Sequence, residues 1–408
     1  MKPLGPIPAG FASVDGELAV QGIAVSDLVE RAGDTPCFVY SSDMLRARVA
    51  SLRAVMPDRL SIHYAMKANP FAPVLALMAS LVDGIDIASA GELKLATSAG
   101  MDPANISFAG PGKRDRDLEA AIAAGVTLNL ESEGEADRAL GIGERIGVQP
   151  RLAVRVNPDF DLRGSGMRMG GGAKPFGIDA ERVPALVRHI LAAGAHWRGF
   201  HIFAGSQALD ADAIIETQGK TLDLAAQLSD AVGHSPEHLN LGGGMGIPYF
   251  PGDVPVDIAK VGAALAERFA DLPPVLADTH FATELGRWLV GEAGVYLTRI
   301  VDKKNSHGEL YLVTDGGLHH QLAASGNFGT VVRRNYPVAI ASRFDAQASE
   351  EANVVGCLCT PLDRLADKAL LPEAQVGDLV AVFCAGAYGA TASPADFLGH
   401  GKAAELLV

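Results

Sequence analysis

"LSIHYAMKANP", residues 60–70, runs from β-favouring residues into a single lysine and then an Asn-Pro break. Leu60, Ile62 and Tyr64 alternate with smaller or polar neighbours, the period of a strand. A charged amine at the end of a buried strand is costly to keep there without a use, so Lys67 needs a function. The same kind of run recurs along the chain. "GIDIAS" (84–89), "ISFAG" (106–110), "VTLNLE" (126–131) and "RLAVRVN" (151–157) follow, then "RGFHIFA" (198–204), "HLNLGGG" (238–244) and "FATELG" (281–286). Between most of them lie Ala-, Leu- and charge-rich stretches such as "RDRDLEAAIAAG", which read as helices. The clearest gap is 158–180, where a Gly-rich loop comes first. Strands alternating with helices pair in parallel, and eight of them can close into a (β/α)₈ barrel. An open doubly wound sheet has the same pattern and stays open on periodicity alone.

After about residue 290 the rhythm changes. "GVYLTRIVDKK", "ELYLVTDGG", "NYPVAIASR", "ANVVGCLC" and "DLVAVFCAGAY" are β-like, with turns and little helix between them, and "FVYSSD" (38–43) matches them ahead of the barrel. The expected organisation is an N-terminal segment (1–42) joining the second domain, a barrel (43–290) and a mostly antiparallel β domain (291–408).

The 408 residues carry a net charge of −14, which disfavours nucleic acid or an anionic membrane as the main partner. The start has no apolar signal core and no stretch suits a membrane span, so a soluble, cytoplasmic protein is expected. Cys37 and Cys384 sit alone in apolar runs and read as core thiols. Cys357 and Cys359 are too close for a disulfide framework, and no CxxC or His-x-x-x-His supplies a zinc set, so no structural metal is expected.

Barrel enzymes place chemistry on the loops after their strands. Here those positions hold Lys67, "ASAGEL" (88–93), His201 with "AGSQ" (204–207), "GGGMGIP" (242–248) and "ELGR" (284–287). Each has a plain reading as well. Lys67 alone could be a surface lysine, His201 a satisfied core histidine, the glycines a turn, and Glu284 with Arg287 a structural ion pair. The glycine run also lacks the Lys-Ser/Thr of a nucleotide P-loop. Together, though, an amine, bare backbone N–H groups, an imidazole and an acid describe a site for pyridoxal phosphate.

At this point the sequence resembles a known family. "YAMKAN", "DIASAGEL", "RVNP", "HIFAGSQ", "LGGGMG", "ELGR" and "AGAY" are similar, in order, to the signatures of the fold-type III pyridoxal-phosphate decarboxylases, the diaminopimelate, ornithine and arginine decarboxylase group. The resemblance spans about residues 35–390 and implies an alanine-racemase-like barrel with a β domain. It implies that Lys67 is the Schiff-base lysine and that His201 stacks on the coenzyme ring. Ser206, Gly243 and Gly244 would hold the phosphate, Asp86 would join the cofactor site, and Glu284 would face the pyridine nitrogen. Arg287 and Tyr388 would lie near phosphate or substrate. Family members are usually homodimers in which a partner cysteine completes the site; "CTPLD" (359–363) makes Cys359 that candidate, a catalytic acid, and Cys357 the bystander.

In the racemase branch an arginine stands where this chain has Glu284, so the resemblance favours decarboxylation over racemisation. A coenzyme-supply protein of this fold group would tend to be a barrel alone. The family's acidic residue after the cysteine is replaced by Thr360, and the Arg-Pro stretch expected after "DGG" is absent. "CTPLD", "SGNFGTVVRRNYP" and "GATASPADFLGH" resemble a side branch associated with exosortase systems or with aminoacyl groups on carrier proteins. Two substrate readings follow: a neutral or carrier-linked distal end beside Thr360, or an ordinary diamino acid whose ammonium meets Asp363.

Overall fold

The computed structural model describes residues 1–326 and 334–408, with only the backbone of Met167 and Arg168. Most of "SGNFGTVVRRNYP" therefore lies outside the described residues. Two compact units divide the chain. One comprises Val49–Ile247 and Pro255–Gly286; the other comprises Met1–Arg48, Pro248–Val254 and Arg287–Val408.

In the first unit, the strands are β1 (Leu60–Ala65), β2 (Gly84–Ile87), β3 (Ile106–Phe108), β4 (Thr127–Leu130), β5 (Arg151–Asn157), β6 (His196–Ile202), β7 (His238–Asn240) and β8 (His280–Leu285). Each pairs in parallel with the next, and β8 pairs with β1. The sheet closes, which settles the barrel against the open sheet. Leu128, Leu130, Leu152, Val154 and Phe281 are fully buried, as strands covered on both faces must be.

Local chemistry sets where the helices begin and end. Ser89 caps Ala90–Ser98 by accepting from Glu92 N, while Glu92 Oε2 accepts from Ala88 N. Ser132 and Asp210 cap Glu133–Ile146 and Ala211–Val232 in similar ways. In the 158–180 gap, Met167–Arg168 pairs with Gly205–Ser206, and Ile178–Asp179 adds to β5.

The second unit is centred on the long strand Gly294–Ser306. It pairs antiparallel with Cys37–Tyr40, Leu379–Val382 and Glu309–Thr314. Glu350–Val355 joins the last of these in parallel, and Arg364–Leu371 follows antiparallel. Leu18, Val39, Leu297, Ala381 and Phe383 form its core. Cys37 and Cys384 are buried, and burial pushes both thiols up to about 12.

Several of these elements were not anticipated. "RLADKALL" reads as helix by propensity, yet it is the strand Arg364–Leu371 because a neighbouring strand supplies its hydrogen bonds. Ala404–Leu407 pairs with Cys37–Tyr40, and Phe11–Val14, Glu17–Val20 and Ile23–Ala24 make a small sheet of their own. Pro248–Val254, in the loop after β7, groups with the antiparallel unit. There the rings of Tyr249 and Tyr336 pack in a tilted pair with centres 4.7 Å apart, and the Pro248 carbonyl accepts from Cys384 Sγ at 3.7 Å. Among the described residues, no helix is long and apolar enough to cross a membrane.

Candidate active site

β1 stops at Ala65, and Lys67 sits in the single 3₁₀ turn Met66–Ala68 that follows. Its neighbours Met66 and Ala68 are buried while Lys67 itself is exposed. Tyr64 OH donates to Asn69 O at 2.8 Å and Asn69 Oδ1 accepts from Phe71 N at 3.0 Å, which fixes the turn. The Lys67 amine has no hydrogen-bond partner among the described residues. It lines a cavity of about 500 Å³ together with Asp86, Arg155, His201 and Glu284, within the size range of small-molecule sites.

Glu284, near the end of β8, is 8% exposed. Its Oε2 lies 2.9 Å from His201 Nε2 and accepts from Asn240 Nδ2 at 3.2 Å. Both contacts fall on one oxygen, leaving Oε1 for a further donor. Burial by itself would raise this carboxyl; the positive charge of His201, Lys67 and Arg155 outweighs it and holds the pKa down at about 2. His201 Nδ1 is buried without a partner, as are both oxygens of Asp86. Asp86 lies 3.7 Å from His63 Nδ1. Burial disfavours the charged imidazole of His63, but Asp86 and then Glu284 and Asp83 more than offset this and raise its pKa.

The loops carrying Ser206, Gly243 and Gly244 are tied together. Ala208 N donates to Gly244 O at 2.9 Å, Gly246 N donates to Ala208 O at 2.8 Å, and Gln207 Nε2 donates to Ile247 O at 2.7 Å. Glycine is required at both positions. A methyl on Gly243 would stand 1.8 Å from the Glu284 carbonyl oxygen, and one on Gly244 would stand 2.6 Å from Gly205 O with φ at +95°.

A buried polar network that sequence reasoning missed supports the same cavity. Arg155 Nη1 donates to Glu131 Oε1 at 2.8 Å, and Glu131 also accepts from the backbone of Gly110 and Gly177. Lys113, 4% exposed, donates to Glu135 Oε1 at 2.7 Å and to the carbonyls of Gly110 and Asn129. "RVNP" carried Arg155 within a recognised motif; "PGKRD" and "NLESEGE" offered no signal beyond loop and cap.

Residues 42–291 match the family model described as "Pyridoxal-dependent decarboxylase, pyridoxal binding domain". The chain belongs to the pyridoxal-dependent decarboxylases. It is 35% identical over 380 residues to the L-glutamyl-[BtrI acyl-carrier protein] decarboxylase of Niallia circulans, covering 92% of this chain and 89% of that one. It is 32% identical over 400 residues to a diaminopimelate decarboxylase of Aquifex aeolicus, covering 97% and 91%. The solved diaminopimelate decarboxylase of Helicobacter pylori in complex with L-lysine superposes with a TM-score of 0.83 at 26% identity, covering 94% of each chain. The enzyme is thus a pyridoxal-phosphate-dependent amino acid decarboxylase with an alanine-racemase-like barrel.

The residues of this decarboxylase fit that coenzyme on structural grounds. A free amine, an anion with one oxygen open, an orphaned imidazole nitrogen and a backbone too close-packed for any side chain are what an amine-linked, phosphorylated pyridine needs. The remaining expected site residues lie in the decarboxylase's other unit. Arg287 Nη1 donates to Tyr249 OH at 2.7 Å, and its guanidinium stands 4.8 Å from the ring centre of Tyr388. Burial would lower its pKa, but Tyr249 and Tyr388 outweigh this, so Arg287 stays charged.

Cys359 is exposed and Thr360 half-buried. Asp363 is placed differently from its expected role as partner of a substrate ammonium. It is 2% exposed, with Oδ1 accepting from Leu318 N at 2.7 Å and Oδ2 from Leu358 N at 2.8 Å. Its carboxylate closes the "CTPLD" turn.

Proposed function

We propose that the enzyme decarboxylates an aminoacyl group whose distal end is neutral because it is acyl-linked, with a carrier-protein glutamyl thioester as the fitting class. One observation carries this reading. The "CTPLD" loop offers a neutral Thr360, and the only carboxylate in it, Asp363, has both oxygens engaged by backbone N–H groups. A distal ammonium left unpaired in a closed site would cost about 1–3 kcal/mol or more. The likeness to the BtrI carrier-protein decarboxylase supports the same class.

Lys67 would hold the coenzyme covalently, Ser206, Gly243 and Gly244 would take its phosphate, and Asp86 would complete the site beside Lys67. When bound, the coenzyme supplies an electron sink for the pair released at Cα as CO₂ leaves. Glu284, anionic at neutral pH, would offer Oε1 to keep a proton on the ring nitrogen, and an acid there, in place of the arginine of the racemase branch, would favour decarboxylation. His201 holds Glu284 in place through its 2.9 Å contact and presents its ring to the cavity. Arg287 and Tyr388 would contact the phosphate or the substrate. After CO₂ leaves, Cα needs a proton, and Cys359 of a second copy in a homodimer is the proposed donor, with Lys67 as the second candidate.

A CO₂-release comparison tests the substrate class. A glutamyl thioester on a carrier protein should exceed meso-diaminopimelate, lysine, ornithine, arginine and free glutamate in kcat/KM by about tenfold or more, the value of one unpaired charge. Thr360→Glu should narrow that gap by admitting a diamino acid. Preference for diaminopimelate or ornithine in the wild type would overturn the reading.

A further inference from the structure

Adjacent histidines in the antiparallel unit have opposite environments. His320 is satisfied on both sides, with Nδ1 3.1 Å from Tyr296 OH and Nε2 3.0 Å from Gly401 O. His319 is 0% exposed, and neither of its ring nitrogens has a partner among the described residues. An imidazole buried with both nitrogens bare is destabilising unless something else bonds it. Two groups near it are of metal-ligating type, the Cys357 thiol and the His400 imidazole. Cys357 Sγ lies 3.8 Å from His400 Nε2, and the ligand atoms of His319, Cys357 and His400 are all within 4.8 Å of one another.

We propose that His319, Cys357 and His400 bind a divalent transition-metal ion of the zinc class, with a fourth position open to water or an incoming ligand. Imidazole and thiolate both ligate zinc, and three protein ligands with one free position is its open-site geometry. Zn–N bonds of about 2.0–2.1 Å and a Zn–S bond of about 2.3 Å put tetrahedral ligand atoms about 3.3–3.6 Å apart. The present 4.8 Å limit therefore has to close by about 1.2 Å. The His400 side chain is exposed, so its ring has room to turn towards the other two ligands.

The neighbours of all three residues are already fixed. Asp363 accepts from the N–H groups of Leu318 and Leu358, the residues immediately before His319 and after Cys357. His320 Nε2 donates to the carbonyl of Gly401, immediately after His400. Two side chains thus hold three loops in register around the site, as outer-shell groups do for metal ligands. Burial and then the Asp363 carboxylate push the Cys357 thiol up. A bound cation reverses this preference: the S–H proton leaves to solvent as the sulfur–metal bond forms. The proposal is independent of the coenzyme reading and gives Cys357 a role separate from that of Cys359.

The test uses the full-length holoenzyme, treated with a chelator and then titrated with Zn²⁺ against a chromophoric competitor and with Co²⁺ as a spectroscopic probe. The expected result is one ion per chain and a sulfur-to-cobalt charge-transfer band. Cys357→Ser should remove the band, and Cys357→Ser and His400→Ala should each weaken binding by about tenfold or more. His400 is exposed, so that variant reports on the site without disturbing a core, and thermal unfolding checks its fold. Cys359→Ser should leave metal affinity unchanged. No stoichiometric uptake by the wild type, or wild-type affinity in both ligand variants, would overturn the assignment.

Discussion

Gly243→Ala puts the proposed phosphate cradle under direct test. The added methyl would sit 1.8 Å from the Glu284 carbonyl oxygen, and such contacts essentially never fall below 3.0 Å, so the ends of β7 and β8 must part by about 1.2 Å. The obstacle is backbone, not the tip of a side chain that could swing away. Forced overpacking of this kind costs about 1–3 kcal/mol, or a fall in Tm of about 2–12 °C for a unit of this size. Moving the loop also misaligns its N–H groups. Losing one hydrogen bond to a charged group costs about 1.5–3 kcal/mol, so coenzyme affinity should fall about ten- to a hundredfold. Differential scanning fluorimetry reads the first effect and equilibrium dialysis of the coenzyme the second. Gly219→Ala is the control, because Gly219 lies within the helix Ala211–Val232 with nothing within 4 Å of the new methyl. That change should stabilise by about 0.5–1 kcal/mol. If Gly243→Ala matched wild type in both Tm and coenzyme affinity, the close-packed cradle would be the wrong description of this loop.

Two further outcomes concern the same mouth. Borohydride reduction of the holoenzyme should fix the coenzyme on Lys67, and Lys67→Ala should abolish both the label and CO₂ release; peptide mapping that finds the label on another lysine refutes the assignment. Glu284 has a depressed folded pKa, about 2 against an ordinary 4.5, so its contribution of about 3 kcal/mol is complete above pH 4.5 and is lost as pH falls towards 2. Glu284→Gln should therefore flatten the acid limb of stability in urea unfolding between about pH 5 and pH 2. Gln offers no charge to a protonated ring nitrogen, so the same substitution should slow CO₂ release about ten- to a hundredfold, the loss of one hydrogen bond to a charged group; an acid limb as steep as wild type would show that Glu284 does not carry that charge.

The eight barrel strands were legible because each is a short apolar run bounded by turn residues, the pattern of strands buried on both faces, and helix-like stretches separate most of them. Closure was not legible: the pairing of β8 with β1 joins residues far apart in sequence, and periodicity carries no trace of it. The antiparallel unit was harder in a different way. "RLADKALL" has no strand signature of its own and becomes a strand because Glu350–Val355 lies beside it.

The candidate site divides along the same line. Lys67, His201, Glu284 and the glycine loop could be named from sequence, since each sits at a strand end with side-chain chemistry that a core does not need. Their mutual arrangement could not, and the 2.9 Å contact between Glu284 and His201 brings together groups from β8 and β6. Asp363 shows the limit most plainly. Its sequence position suggested a substrate partner, but the fold surrounds it with two backbone donors. His319, Cys357 and His400 show the converse, for no spacing rule joins positions on three separate loops. The sequence by itself determined which residue types stand at which strand ends, because hydrophobic alternation and turn chemistry act over a few residues. Only the tertiary structure decided which of them meet, because contact across a closed sheet depends on registers set by distant strands.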